Sequence, residues 1–293
     1  TMNDFVFYKK RKFGDLISDT FTFFRKYAGN YFSNYLVING AAIVSAGILF
    51  TVMVFFLPSL SGGIGTSLLL VLLMLVIVFF LFLFVFCFPI AYTELLEKNP
   101  NRIDIASQEL LESIKKMMPR AFLFGFISIF VIWIPYLLVS FGLVSILEDA
   151  PLLLQLVNYF LSTLLFLFMQ QTMLVYIKDR EDYFQALGKV VNQLRERFWD
   201  KFGATFVMNF ICGIIISAGA IIPIIVYFLT LAVSGFKPGL GTAILVFVLL
   251  LIVVTVIFVS LNLSLFQQIL IHLGEKEDQH TDDIDLIGQN VEE

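Results

Sequence analysis

The 293-residue chain is 59% apolar and only 14% charged, and 34 of its residues are phenylalanine. A soluble domain carries about a quarter charged residues and under half apolar ones, so the mean hydropathy of +0.92 excludes a water-soluble globule. Disordered, disulfide-stapled and collagen-like chains are excluded as well, because polar residues, cysteine and proline are too few. The remaining class is a polytopic membrane protein.

Stretches without any Asp, Glu, Lys or Arg divide the chain into membrane spans. A helix needs roughly 20 apolar residues to cross a bilayer core of about 30 Å. The longest uncharged stretch, residues 27–93, therefore holds two spans, separated by the turn-forming cluster at 58–65. The predicted spans are about 36–57, 66–92, 121–146, 152–177, 203–233 and 240–272. Apolar runs this long and continuous are helical, so the predicted fold class is all-α with six transmembrane helices.

The placement of basic residues predicts the orientation of the spans. Six crossings put both termini and the connections 93–120 and 178–202 on one side of the membrane, together with 18 of the 19 Lys and Arg residues. Lys237 lies on the other side. The positive-inside rule makes the basic side cytoplasmic. The N-terminus has no cleavable signal pattern, and the acidic, Phe- and Ile-rich composition suggests a bacterium. We therefore expect a multi-pass protein of the bacterial inner membrane with both termini cytoplasmic.

The N-terminal segment and the two cytoplasmic connections share one pattern when they are overlaid from Phe13, Ile103 and Tyr183. Apolar or small residues recur 3, 7, 8 and 11 positions later, on one helical face, and a base follows at position 12. This pattern predicts three parallel repeats, each an amphipathic cytoplasmic helix followed by two spans. The predicted divisions are a basic N-terminal segment 1–12, repeat 1 at 13–97, repeat 2 at 98–180, repeat 3 at 181–274, and an acidic disordered tail at 275–293.

The amphipathic helices allow two interpretations that do not exclude each other. They could be structural elbows that align each pair of spans and cover the cytoplasmic face of the bundle. They could also form a collar on the lipid surface, with bases that meet anionic headgroups. The candidate headgroup contacts are Arg25, Lys26, Lys115, Lys116, Arg195 and Arg197.

Polar residues within the spans are amides and hydroxyls, with no charge among them, which argues against ion-coupled transport. The amides could form hydrogen bonds between helices, each worth on the order of 1 kcal/mol. Alternatively, Asn39, Ser128 and Asn209 could form a polar niche for a lipid headgroup. Small residues in spans 1 and 5, such as Gly213 with Ser217, predict close helix packing. Pro135 predicts a kink in span 3, which could open a cleft or improve packing.

No catalytic, cofactor-binding or metal-binding pattern is found, so the sequence favours a protein that is not an enzyme. His272 and His280 lack the spacing of a zinc site or of a nucleophile with its base. Cys87 and Cys212 fall within spans and are interpreted as small buried residues. The tail has eight acids and one lysine, which predicts a solvated, disordered end, with docking of its Ile and Leu residues as the alternative.

The repeat pattern resembles a known family. The residues that carry the likeness are Phe13 to Phe21, Phe23 to Tyr27, and Ala186 to Phe198. Together with the six spans they resemble the six-helix membrane domain of bacterial membrane-anchored glycerophosphoryl diester phosphodiesterases, and related stand-alone proteins of unknown function. In those enzymes the chemistry belongs to a separate soluble domain, which nothing in this sequence resembles. The resemblance therefore implies the membrane fold without the hydrolase activity.

We expect a non-enzymatic inner-membrane protein that acts as a lipid-associated or complex-assembly factor of the cell envelope. The expected partners are anionic membrane lipids and either a membrane protein or a second copy, with no nucleic acid. The alternative is a permease or flippase for a lipid or another amphiphile, with a groove between spans 1, 3 and 5 lined by the niche residues.

Overall fold

The computed structural model describes residues 5–56, 64–99, 102, 104–233 and 240–289, and within these ranges it contains helices and no strand. The helices are α1 (Phe13–Phe56), α2 (Ile64–Lys98), α3 (Ser107–Ser128), α4 (Ile134–Ile146), α5 (Pro151–Lys178), α6 (Tyr183–Arg195), α7 (Phe198–Val233) and α8 (Leu240–Gln289). A π-helical turn, Ile129–Trp133, joins α3 to α4. The predicted all-α class is confirmed.

Within the described residues, six helical segments are long and apolar enough to cross a membrane, in the number and order that the sequence predicts. They are Phe13–Ile48, Val71–Lys98, Ser107–Ile146, Pro151–Lys178, Phe198–Thr230 and Gly241–Glu277. Helix α1 alone has 44 residues. At about 1.5 Å per residue it is about 66 Å long, roughly twice the thickness of a hydrocarbon core of about 30 Å. Its first part therefore extends beyond the bilayer.

The junction between amphipathic segment and span differs among the three units. In the first two units the segment runs on into the span, as α1 and as α3. In the third unit α6 ends at Arg195 and α7 begins at Phe198. Arg197, between them, has a left-handed backbone with φ of 53°, a conformation that is uncommon outside glycine. Its guanidinium donates to the backbone oxygen of Arg11 at 2.8 Å, and this contact holds the break in place.

Burial within the three segments follows the overlaid positions only in part. The residues 7 and 11 positions after each starting point are all buried, namely Thr20, Leu110, Val190, Phe24, Ile114 and Leu194. The residues 8 positions after the starting points are not buried, and one of them, Phe21, is 41% exposed. Ile103 lies outside the described residues. The repeat as a whole stays a prediction.

Helix α8 is central to the bundle, because it packs against α1, α2, α5 and α7. Phe266 of α8 stacks on Phe23 of α1, with ring centroids 3.7 Å apart. Around the outside, large apolar side chains are exposed, among them Leu68, Ile146 and Ile222. Such a surface would be unfavourable in water and is suited to lipid.

Two glycines allow α8 to approach its neighbours closely. A Cβ atom on Gly219 of α7 would lie 2.8 Å from Val256, and one on Gly47 of α1 would lie 3.2 Å from Phe247. This is the close packing that small residues predict for spans 1 and 5. Gly213 does not take part, since a Cβ there would meet nothing within 4 Å.

Charged residues from distant parts of the chain meet at one end of the bundle. This charged end comprises residues 8–12, 94–98, 178–182, 197–201 and 275–276. Glu97 accepts a hydrogen bond from Tyr8 at 3.0 Å and pairs with Lys178 at 2.6 Å. Lys201 pairs with Glu275 at 2.8 Å. The N-terminal segment, both long connections and the end of the last span therefore lie on the same side.

The sequence predicts a disordered tail from Glu275 onward, but helix α8 continues through Gln289. Ion pairs of Glu275 with Lys201 and of Lys276 with Asp179 fix the first turn beyond the span. The next residues contain no Pro, and the first Gly after them is Gly288, so nothing in the local sequence interrupts the helix.

Candidate functional site

Three neighbouring spans each turn one face toward a common crevice. On α2, α3 and α5 the lining residues recur every three or four positions, which places them along a single side of each helix. The residues that mark these faces are Phe79, Leu83, Phe86, Glu94 and Lys98 on α2; Ser113, Met117, Arg120, Phe124 and Ser128 on α3; and Ser162, Phe166, Met169, Met173 and Ile177 on α5. Two cavities follow one another along these faces.

The deeper cavity, called here the apolar chamber, has a volume of about 570 Å³. Its walls are mainly Phe, Leu, Ile and Met side chains from α2, α3 and α5, and Leu261 of α8 also lines it. The lining residues with polar atoms are Ser128, Trp133, Tyr136 and Ser162. Pockets for small molecules typically have volumes of about 300–1,000 Å³ and mostly apolar walls. The apolar chamber has both properties.

A π-helical turn forms part of the wall of the apolar chamber. The N–H of Ile134 donates to the oxygen of Ile129, five residues earlier, and Pro135 follows directly. Because proline has no N–H to donate, an ordinary helical hydrogen bond is missing at this point. The wider turn lies where Ile129 and Trp133 line the chamber. Single π-turns within α-helices are frequent at functional sites.

The second cavity, the polar chamber, has a volume of about 650 Å³ and opens at the charged end. The ends of α2 and α5 and the first turns of α3 form its walls. Its charged lining residues are Lys98, Lys116, Arg120, Lys178, Arg180, Glu94, Glu109 and Glu112. Five cations against three acids give this chamber an excess of positive charge.

Arg120 lies where the two chambers meet, since it lines the polar chamber and the next residue, Ala121, lines the apolar one. Its guanidinium lies over the ring of Tyr176, 4.4 Å from the centroid. One of its terminal nitrogens donates to the backbone oxygen of Glu181 at 2.7 Å. Its Nε is buried and has no hydrogen-bond partner in the described structure. These contacts fix the guanidinium and leave its buried Nε without an acceptor.

An aromatic cluster beside Arg120 connects α6 to the crevice. The ring of Tyr183, the first residue of α6, lies 5.6 Å from that of Phe124 and 6.1 Å from that of Tyr176. The Tyr183 hydroxyl is hydrogen-bonded to Ser128 at 3.1 Å. Burial raises the pKa of this hydroxyl, so it stays neutral. The amphipathic helix of the third unit thus contacts the boundary between the chambers.

The residues of the predicted niche do not share one pocket. Ser128 lines the apolar chamber. The side-chain amide of Asn39 donates to the backbone oxygen of Tyr35, in its own helix, at 3.2 Å. Asn209 accepts from Ser264 and lines a separate groove of about 460 Å³ between α5 and α7. The apolar chamber lies among spans 2, 3 and 4, whereas Asn39 is on span 1 and Asn209 is on span 5.

The candidate headgroup contacts are also separated. Arg25, Lys115, Lys116 and Arg195 are exposed. Lys26 lies over the ring of Tyr27 at 5.2 Å, and Arg197 pairs with Asp200 at 3.2 Å. Of the six, Lys116 lines the polar chamber. The other chamber cations were not among the sequence candidates, although Arg120 and Lys178 directly flank uncharged stretches.

Several amides join helices, as one of the two sequence interpretations expects. Gln267 donates to the Ala204 oxygen at 3.1 Å, and Gln268 donates to Thr205 at 2.9 Å, so that both connect α8 to α7. Asn262 of α8 accepts from Tyr31 of α1 at 2.6 Å. For these residues the interhelical interpretation is confirmed.

A second charged cluster surrounds Asp179, just after α5. Its carboxylate lies 2.5 Å from Lys276, 3.4 Å from His272 and 3.8 Å from Lys189. Burial alone would raise the pKa of Asp179, but the contacts with His272 and Lys276 outweigh it and hold the pKa well below its usual range. These residues join α5, α6 and α8. Among the described residues, no group of three or more His, Cys, Asp or Glu side chains is arranged to hold a metal ion.

Comparison of the chain with protein-family models, with curated proteins and with solved structures found no match.

Proposed function

We propose that this chain is a non-enzymatic multi-pass membrane protein that holds a lipid or a similar amphiphile in the crevice between spans 2, 3 and 4. The observation that carries the proposal is the direct succession of an apolar chamber of about 570 Å³ and a charged chamber of about 650 Å³. An amphiphile has the same two parts in the same order. In the cell such a protein acts as a lipid-associated or complex-assembly factor of the envelope.

The proposal includes a location in the bacterial inner membrane with the charged end in the cytoplasm. The excess of basic residues at this end supports the orientation, since 18 of the 19 Lys and Arg residues lie on that side of the predicted topology. The polar chamber then faces the cytoplasmic headgroup layer. The resemblance to the six-helix membrane domains of the phosphodiesterases stays part of the proposal, as does a membrane-protein partner or second copy.

The lining of the apolar chamber favours holding an amphiphile over moving it across the bilayer. A headgroup that crosses the membrane needs polar partners along its path, because unpaired polar groups cost several kcal/mol in hydrocarbon. The chamber offers polar atoms only from Ser128, Trp133, Tyr136 and Ser162. The permease or flippase alternative predicts lipid movement in liposomes above that of protein-free liposomes. The holding function predicts none.

Native mass spectrometry of the protein, extracted from membranes in mild detergent, tests the proposal. We expect bound lipid on the wild-type protein and loss of it in Gly125→Leu. A Cβ at Gly125 makes only ordinary contacts with Phe79 at 3.6 Å, so the longer side chain fills the chamber. Gly142→Leu is the matched control, since Gly142 lies in the same span with nothing within 4 Å. Wild-type protein without lipid, or lipid retained equally in both variants, would contradict the proposal.

A further inference from the structure

Charge in the polar chamber is not balanced by its own ion pairs. Lys178 is paired with Glu97 at 2.6 Å, and Glu109 is paired with Arg102 at 2.6 Å. In the described part of the chain, the lining residues that then have no ion pair are Lys98, Lys116, Arg120 and Arg180 on the basic side, and Glu94 and Glu112 on the acidic side. Two positive charges are therefore in excess. An excess of one sign of charge in a cleft attracts ions of the other sign.

Arg120 has the features of a preformed anion ligand. Stacking on Tyr176 and the bond to the Glu181 oxygen hold the guanidinium in one orientation. Its buried Nε has no partner in the described structure, and a buried donor without an acceptor costs about 1–3 kcal/mol. The guanidinium has five N–H donors, and its described hydrogen bond to Glu181 uses one of them, so further donors are left for an anion. The planar fork of arginine matches the oxygen pairs of phosphate.

Arg180 is held against the same chamber by an unusual backbone. It has φ of 60°, one residue beyond the C-cap Asp179 of α5, and it lines the polar chamber. Glycine or asparagine is usual at such a helix end, because other side chains are strained there. Arg180 therefore occupies a left-handed backbone position that glycine would adopt with less strain.

The volume of the apolar chamber limits the size of the tail. Since a cavity of about 150 Å³ holds one benzene ring, a chamber of this size accommodates on the order of 20 carbon atoms. That is the size of one acyl chain and too small for two. A second chain would have to lie outside, in the surrounding bilayer.

From these observations we infer that the crevice binds a phosphate-bearing anionic lipid, with the phosphate on Arg120, Lys116 and Arg180 and one acyl chain in the apolar chamber. This inference rests on the proposed function and adds the class of ligand. It distinguishes a phospholipid with net negative charge from zwitterionic phospholipids, whose phosphate is offset by a cationic group, and from free fatty acids, which have no phosphate. The tails of all three would fit equally well.

The test uses the full chain in mild detergent and three probes with identical 16-carbon chains: lysophosphatidic acid, lysophosphatidylcholine and palmitate. Binding is measured by native mass spectrometry and by the ligand-induced shift in melting temperature. We expect lysophosphatidic acid to bind at least about tenfold more tightly than either of the others, which corresponds to about 1.4 kcal/mol. The preference should weaken with added salt.

Arg120→Gln should reduce this preference to less than about threefold. Lys116→Gln provides a second variant, because Lys116 is exposed and its loss leaves folding intact even if Arg120→Gln does not. Arg25→Gln is the matched control, an exposed base on α1 that does not line the chamber. It should leave the preference unchanged.

The outcomes separate this inference from the proposed function. Equal binding of all three probes, tighter binding of palmitate, or a preference that survives both Arg120→Gln and Lys116→Gln overturns the phosphate site and leaves the amphiphile-holding function standing. Failure of the wild-type protein to bind any of the three probes counts against both.

Discussion

The side-chain amide of Gln171 on α5 donates to both the backbone oxygen and the side-chain oxygen of Gln268 on α8, at 2.9 and 3.0 Å. Gln268 in turn donates to Thr205 of α7 at 2.9 Å. All three residues are buried. A single chain of hydrogen bonds therefore joins three helices near the charged end. Because its members are buried, neither water nor lipid can take the place of a lost partner.

Replacing Gln171 with Leu should destabilise the bundle by about 1–2 kcal/mol, in the range measured for hydrogen bonds between membrane helices. The loss leaves the Gln268 side-chain oxygen without its donor. Gln155→Leu, on the exposed part of the same helix, is the control and should be neutral. The midpoint of thermal unfolding in detergent measures both, and equal midpoints for the two variants would contradict this role.

The contact between Gly219 and Val256 predicts a steric effect. Gly219→Ala should destabilise the protein by about 1–3 kcal/mol, as overpacking typically does, because its Cβ would lie 2.8 Å from a Val256 methyl group. Gly213→Ala, on the same helix with no neighbour within 4 Å, should have little effect. If the clash is the cause, Val256→Ala should restore the stability of the Gly219→Ala variant; a lack of restoration would point elsewhere.

The lowered pKa of Asp179 predicts a dependence of stability on pH. The carboxylate is charged and paired in the folded protein and has its ordinary pKa, near 4, when unfolded. Its contribution is therefore complete above about pH 4 and is lost as the pH falls below that value toward the folded pKa. At pH 7, Asp179→Asn should cost on the order of 2 kcal/mol.

Melting temperatures of wild-type and Asp179→Asn protein between pH 3 and pH 7 measure this effect. The two curves should approach each other at the acidic end. Asp182→Asn is the control, because Asp182 is exposed three residues further on. A difference that stays constant over the whole pH range would show that the charge of Asp179 is not responsible.

The proposed orientation predicts the result of reporter fusions. A fusion after Lys98, at the end of the second span, and one after Glu293 should both report a cytoplasmic location. A fusion after Gly63, in the connection between the first two spans, should report the opposite side. A cytoplasmic signal from the Gly63 fusion would reverse the topology, and with it the side to which the polar chamber opens.

The spans were predictable because their signal is local. Long uncharged stretches need no knowledge of neighbours, and the turn-forming cluster at 58–65 separates the first two spans by its composition alone. The hydrogen bonds of Gln267, Gln268 and Asn262 could be anticipated as well, since a buried amide must find a partner.

The crevice was not predictable because it depends on which spans are neighbours. Ser128 is a polar residue of span 3 that the sequence singled out, but the sequence did not indicate that α2 and α5 line the same chamber as Ser128. The break at Arg197 also lacks a local signal, since neither Gly nor Pro lies between α6 and α7. A contact with Arg11, far away in sequence, holds it.

The unbroken length of α1 has a mechanical consequence. Membrane helices change their tilt when bilayer thickness changes. Since α1 is one helix from Phe13 to Phe56, a tilt of about 10° around its middle would swing either end sideways by about 6 Å, given a half-length of about 33 Å. Helix α6 is separated from its span at Arg197 and would not follow in the same way. Thicker or thinner bilayers would therefore shift the N-terminal segment relative to α6, with the bond between Arg197 and Arg11 bridging the two.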